Sequence, residues 1–324
     1  MPAAVLALIG ALVYGSADFL GGLAAKRLRS IVVTGVAAAS GLLVLLAAYP
    51  FFEESWNPAD VAWGALSGVI GIVAIVLLYG CLAIGPMSIL SPLTAVVSAI
   101  APMVWGLTVG GERLSGVGLT GLGVALVAVV LVGFIPGQKV VRPSLRGILM
   151  AIGAGLGIGA FLIVIDQTDA SSGVVPLIFN RGVNAVITAA VIGVMIVAAL
   201  RRGAAPSAAL APQGAVVGAT PSGHADLEHA GTTAGDSPEI TPGARIPARA
   251  WTLAIACGLV DTLANVVMLV ALRLGDLSIV AALTAMYPAG TILLAAIVLR
   301  ERIAPVQWLG LALALTAGAL LALA

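Results

Sequence analysis

The chain reads as a succession of long apolar runs separated by short polar breaks. Ten runs, each long enough to carry an α-helix of about 20 residues across about 30 Å of hydrocarbon, fall near 4–25, 31–51, 60–83, 87–110, 115–134, 146–168, 173–199, 250–272, 276–299 and 304–323. The narrowest breaks, Gly85-Pro86 and Gly275-Asp276, are marked by turn chemistry more than by polarity. The pattern predicts an all-α polytopic membrane protein with ten transmembrane helices.

One stretch breaks the pattern. From 200 to 249 the sequence is rich in Ala, Pro, Gly, Ser and Thr and has no hydrophobic period. It cannot bury enough apolar surface to offset its ordering entropy, and a disordered linker loop is expected there. Both histidines, His224 and His229, lie in it, which leaves the apolar runs without a histidine for metal binding or catalysis.

The pattern also repeats. Gly85, Ser88, Ile89, Leu93, Thr94 and Ala95 return 190 residues later as Gly275, Ser278, Ile279, Leu283, Thr284 and Ala285, and Glu112-Arg113 returns as Glu301-Arg302. Residues 1–135 then form a first five-helix repeat. Helices six and seven (146–199) and eight to ten (250–324) form a second, interrupted by the linker. Because five is odd, the second repeat enters from the opposite side, giving inverted halves related by a pseudo-two-fold axis in the membrane plane. Such an arrangement exchanges inward-open and outward-open shapes by alternating access.

Composition fixes the solvent. Hydrophobic residues make up 61% of the chain and charged ones 9%, far from a soluble domain, so the lipid bilayer is the first partner. A net charge of +1, with the charges clustered between apolar runs, gives no nucleic-acid surface. Cys81 and Cys257 sit inside apolar runs with no metal-ligand spacing. Neither cofactor nor metal is expected. With ten helices drawn, one side receives Lys26, Arg27, Arg29, Lys139, Arg142, Arg146, Arg201, Arg202, Arg245, Arg249, Arg300 and Arg302, and the other only Arg113 and Arg273. The positive-inside rule places the first set in the cytoplasm and both termini outside a plasma (inner) membrane.

Tyr14-Gly15-Ser16-Ala17-Asp18-Phe19 resembles the aromatic-Gly-small opening of EamA-type members of the drug/metabolite transporter superfamily. Leu78-Tyr79-Gly80-Cys81-Leu82-Ala83-Ile84-Gly85-Pro86, then Pro92, Pro102 and Gly111-Glu112-Arg113-Leu114, resemble that family's helix three to helix five region. The resemblance runs from 4 to 323 apart from the linker. It implies a five-plus-five carrier, monomeric or homodimeric, that exports amino acids, metabolites or drugs, often in exchange for protons.

Polarity inside lipid is costly, about 2.5 to 3.5 kcal/mol for a central charge on insertion scales, so such residues face a cavity or a partner. Asp261, midway along helix eight, is a proton or substrate-amine site, or else a structural carboxylate; Asn265 shares its face one turn on. Asp18 lies deep in helix one, with Tyr14 one turn away. Arg181, next to Asn180 and followed by Asn184, is suited to clamp a substrate carboxylate, unless it pairs with Asp18 or Asp166. Asp166 and Asp169 include an interfacial carboxylate, and Glu112-Arg113 and Glu301-Arg302 read as helix-end ion pairs.

Pro92, Pro102 and Pro288 each remove a backbone hydrogen bond, which membrane helices tolerate beside a cavity. The expected cavity therefore lies among helices one, three, four, six, eight and nine, lined by Tyr14, Tyr79, Thr94, Trp105, Thr284 and Tyr287. Gly153, Gly155, Gly157 and Gly159 in helix six read as a close-packing stripe. The function expected is export of a small metabolite, possible proton coupling included, with multidrug efflux as the alternative. Against a channel or an intramembrane enzyme stand the absence of filter-like charge rings and of Walker, Gly-x-Ser-x-Gly or Gly-x-Gly-Asp patterns in the helices. No catalytic residue is assigned.

Overall fold

The computed structural model describes residues 2–51, 55–84, 87–133, 144–203, 205, 209–211, 247–298 and 303–323; the side chains at 79, 82–84, 87–89 and 91 are outside that description. All regular structure among these residues is helical: α1 (Pro2–Ala25), α2 (Ser30–Ala48), α3 (Pro58–Ile84), α4 (Met87–Thr108), α5 (Gly116–Val132), α6 (Leu145–Asp166), α7 (Val175–Arg201), α8 (Ala248–Leu274), α9 (Leu277–Thr284), α10 (Tyr287–Val298) and α11 (Pro305–Ala322). In lipid only a helix satisfies every backbone group within its own segment, and the residue choices at the ends agree. The Ser115 and Ser144 hydroxyls accept hydrogen bonds from the Gly118 and Gly147 N–H groups at the starts of α5 and α6. Pro58 and Pro305 open α3 and α11, where the missing N–H costs nothing.

Among the described residues, eight helical stretches are long and apolar enough to cross a membrane, with α9 and α10 counting as one stretch, Leu277–Val298. The segment of α4 from Pro92 and the whole of α5 are apolar but shorter. The ninth run is broken after Thr284. Pro288 has no N–H to donate to the Thr284 carbonyl four residues back, so α9 ends there and α10 restarts at Tyr287.

Small residues set the packing. α1 lies on α8 and on α9 and α10; α6 lies on α3 and α4; α2 meets α7 and α8; α3 also meets α7; α5 meets α11; α4 meets α9. A Cβ on Gly15 would come within 2.7 Å of the backbone of Tyr287, Gly290 and Thr291, and the Thr291 hydroxyl donates to the Gly15 carbonyl at 3.0 Å. The helix-six glycines divide between two neighbours: Gly153 and Gly157 face Leu77 and Ala74 of α3, while Gly155 and Gly159 face Thr94, Val97, Ala101 and Pro102 of α4. Outside the bundle, Leu43, Val76, Val186, Val194 and Ile297 are all exposed, as a lipid-facing surface requires.

At one end the loops are tied by polar contacts. The buried Asp60 carboxylate accepts from the Asp169 N–H at 3.2 Å and from the Ser172 hydroxyl. Arg273 donates to the carbonyls of Gly173 at 2.6 Å and Asp169 at 3.3 Å. Glu112 accepts from the Ser278 N–H at 3.2 Å, thereby capping α9 from the loop between α4 and α5, since the Asp276 side chain at the N-cap makes no capping hydrogen bond. That contact replaces the helix-end ion pair expected of Glu112. At the other end Arg29 donates through its N–H and Nε to the carbonyls of Leu210 (2.9 Å) and Ala211 (2.8 Å), so residues 209–211 of the segment read as a linker are held; 212–246 lie outside the described residues.

Candidate functional site

A cavity of about 100 Å³ lies at the centre, walled by α1, α3, α4, α6, α7, α8 and the α9–α10 stretch. Its polar side is built by α7 and α8. The Arg181 Nη2 lies 2.5 Å from Asp261 Oδ2, and both side chains are almost wholly buried. Two charges removed from water hold one another in place only if hydrogen bonds complete the geometry. Asn265, one turn past Asp261, donates to its carbonyl at 2.8 Å and approaches its carboxylate at 3.5 Å. On α7 the spacing of four puts Asn180, Asn184 and Thr188 on one stripe. Asn184 donates to Asn180 Oδ1 at 3.3 Å, Asn180 to the Ser67 hydroxyl of α3 at 2.8 Å, and Thr188 to the Asn184 carbonyl at 2.6 Å.

The other walls are apolar or aromatic: Ile75 on α3, Phe161 and Leu162 on α6, Met268 on α8, Tyr14 on α1 and Tyr287 on α10. The Tyr14 hydroxyl donates to the Met268 sulfur at 3.5 Å, a weak acceptor. Ser98 and Thr284 line the cavity at the two helix irregularities. Pro102 and Pro288 have no N–H to donate to those residues' carbonyls, so each removes one helical hydrogen bond beside a lining residue. Three buried polar atoms of the lining have no hydrogen-bond partner among the described residues: Arg181 Nε, Asn184 Oδ1 and Thr284 Oγ1. A buried polar atom without a partner costs about 1 to 3 kcal/mol, and here one donor, one acceptor and one hydroxyl share a single cavity.

The structure thus brings together Tyr14, Arg181, Asn184, Asp261, Asn265, Thr284 and Tyr287 from the residues singled out in the sequence. Arg181 pairs with Asp261, and not with Asp18 or Asp166. Asp18 is fully buried on α1 one turn beyond Tyr14 but does not line the cavity. Thr94 is not in the lining either: its hydroxyl donates to the Leu90 carbonyl at 2.9 Å and lies 3.2 Å from the Ala151 carbonyl, serving the α4–α6 contact. Trp105 stands seven residues, about 10 Å, beyond Ser98 and past Pro102, and is 37% exposed. The Tyr79 side chain lies outside the described residues. Asn180, Ser98, Phe161 and Met268 were not assigned to the cavity. The 180/184/188 stripe of polar residues in an otherwise apolar helix is the signal that finds Asn180; Phe161 and Met268 carry none.

An all-helical membrane bundle with a buried ion pair on the one polar side of a largely apolar central cavity has the architecture of a polytopic membrane transport protein. Residues 1–134 and 238–323 match the EamA-like transporter family. The chain belongs to that family, within the drug/metabolite transporter superfamily. Among solved structures, one crystal structure matches 99% of this chain and 98% of its own with a TM-score of 0.63 at 14% identity, a likeness of fold. No curated protein matches the sequence.

Proposed function

We propose that this protein is a secondary carrier that exports a small metabolite, an amino acid or a similar amphipathic solute, by alternating access, with protons as the coupling ion. The observation that carries this reading is the balanced site: Arg181 and Asp261 neutralise one another, and Arg181 Nε, Asn184 Oδ1 and Thr284 Oγ1 remain to be satisfied beside aromatic walls. A zwitterion with an apolar body suits those groups: its carboxylate competes with Asp261 for the guanidinium and its ammonium competes with Arg181 for the carboxylate. A proton on Asp261 releases Arg181 in the same way, which makes the pair a point where substrate and proton exclude or follow one another. The same balance disfavours the multidrug alternative, because a lone organic cation would leave Arg181 buried and uncompensated.

Two inverted five-helix halves in a ten-helix molecule supply the motion. Under that assignment α1 to α5 correspond to α6, α7, α8, the α9–α10 pair and α11. The packing supports it, because the most extensive contacts between the halves have counterparts: α1 on α8 as α6 on α3, α2 on α8 as α7 on α3, and α1 on α9 and α10 as α6 on α4. The Lys and Arg bias supports a multi-pass protein of the plasma membrane with its termini outside.

The test is efflux from, or counterflow into, proteoliposomes holding a panel of labelled amino acids, with and without a pH gradient. Accumulation of at least one zwitterion and none of cationic dyes supports the reading. Absence of movement for every solute under both conditions ends it. Asp261→Asn should abolish pH-driven uptake while sparing exchange, and unchanged pH dependence removes Asp261 from coupling.

A further inference from the structure

A second cavity, of about 210 Å³, lies between α6 and α8 beneath the tied loop, lined by Ile165, Asp166, Thr168, Ala170, Leu269, Leu272 and Arg273. It stands one helical turn above the central site: Leu162 and Met268 line the lower cavity, and Asp166 and Leu272, four residues on in each helix, line the upper one. Four residues of helix are about 6 Å. Ile165 and Leu269, both buried, form the apolar wall on the central side.

The chemistry of the upper cavity differs from that of the lower. Asp166 is half-buried and takes part in no hydrogen bond or ion pair among the described residues. Arg273, also in the lining, spends its Nη2 on the carbonyls of Gly173 and Asp169. An acid kept at the wall of a cavity with no hydrogen bond or ion pair of its own is the counterpart of a cation.

We infer that this upper cavity is a second binding station, specific for an ammonium group held by Asp166, between the central site and the face that carries Glu112 and Arg273. The inference rests on the carrier reading for its purpose: an amino solute leaves Asp261 and is taken up by Asp166, at the level of Leu272 about three turns further along α8, or travels the reverse path. The station takes organic monocations and zwitterions by their ammonium end.

Cysteine labelling tests the station without any transport. Ala170 is exposed and in the lining, while the native Cys81 and Cys257 are buried and supply an unreactive background. In full-length Ala170→Cys protein in nanodiscs, the labelling rate with cationic trimethylammonium-ethyl methanethiosulfonate, relative to anionic sulfonatoethyl methanethiosulfonate, should exceed that of a free thiol. Adding Asp166→Asn should lower this ratio about tenfold, as loss of one nearby charge predicts, and Asp166→Glu should keep it. Millimolar ethylammonium should slow cationic labelling only where the 166 carboxylate is present, and acetate should not. A ratio indifferent to Asp166→Asn, or no protection by ethylammonium in the Ala170→Cys protein itself, overturns the station. Because these rates need no transport, a failed flux assay and a failed labelling assay remain separate results.

Discussion

The Arg181 guanidinium and the Asp261 carboxylate meet at 2.5 Å in the middle of the bundle, both with side chains at most 7% exposed. Removing one partner strands the other as an uncompensated buried charge, at a cost of about 3 to 5 kcal/mol, whereas replacing both by apolar residues is close to neutral. Arg181→Met and Asp261→Leu are each expected to lower the unfolding midpoint in nanodiscs steeply, and the double variant to restore most of it. All three should lose solute flux. Single variants as stable as the parent would show that the pair is not ionised as a unit.

Two glycines separate packing from cavity shape. Gly15 has the backbone of α10 against it, and a Cβ there has no room, so Gly15→Ala must push α1 off Tyr287 and Thr291. Overpacking of this kind costs about 1 to 3 kcal/mol. Gly71 lines the cavity with nothing within 4 Å of the position a Cβ would take. Gly71→Ala is expected to leave unfolding unchanged or better, as Gly in a helix is the weaker former, while reducing flux of the bulkier solutes in the panel. Equal behaviour of the two variants in both assays would refute the placement.

Most of the fold was legible because lipid imposes one rule, a long apolar run, and that rule is written residue by residue in the sequence. The break in the ninth run was legible in Pro288, although not its position: α9 ends where Pro288 withholds a bond, four residues earlier at Thr284. The site was legible where polarity is costly, at Arg181, Asp261, Asn184 and Asn265. It was not legible in depth along a helix. Trp105 and Thr94 sit on helix four, which does supply Ser98, yet one stands beyond the cavity and the other turns to the Ala151 carbonyl. Nor does a sequence tell that Glu112 reaches the start of α9, because that contact depends on how two loops lie together.

Asp60 fastens the start of α3 to the loop between α6 and α7. Its buried carboxylate accepts from the Asp169 N–H and the Ser172 hydroxyl, and Asp60→Ala leaves both donors without it. Loss of a buried acceptor costs about 1 to 3 kcal/mol, and Asp60→Asn, which keeps one acceptor oxygen, should cost less. Hydrogen exchange read by mass spectrometry should show faster exchange across 168–174 in Asp60→Ala, graded through Asp60→Asn. Unchanged exchange there would mean that Arg273 and the Ser55–Ser171 contacts hold the loop without Asp60.

The same loop carries a titratable group whose effect has a definite sign. Asp169 is fully exposed, and its carboxyl is held below the usual carboxylate range by hydrogen bonds from Ser171, the backbone N–H first, at 2.8 Å. A folded-state value below the unfolded one, about 3.9 for Asp, means that the ionised form favours the folded loop. Its contribution is present above that value and lost as pH falls through the lower folded one. The parent should therefore lose protection at 170–173 on acidification below about pH 4. Asp169→Asn keeps an oxygen acceptor for the Ser171 N–H and does not titrate, so its loop protection should be flatter across that window. An identical acid response in the two proteins would assign the change to another carboxylate of this face.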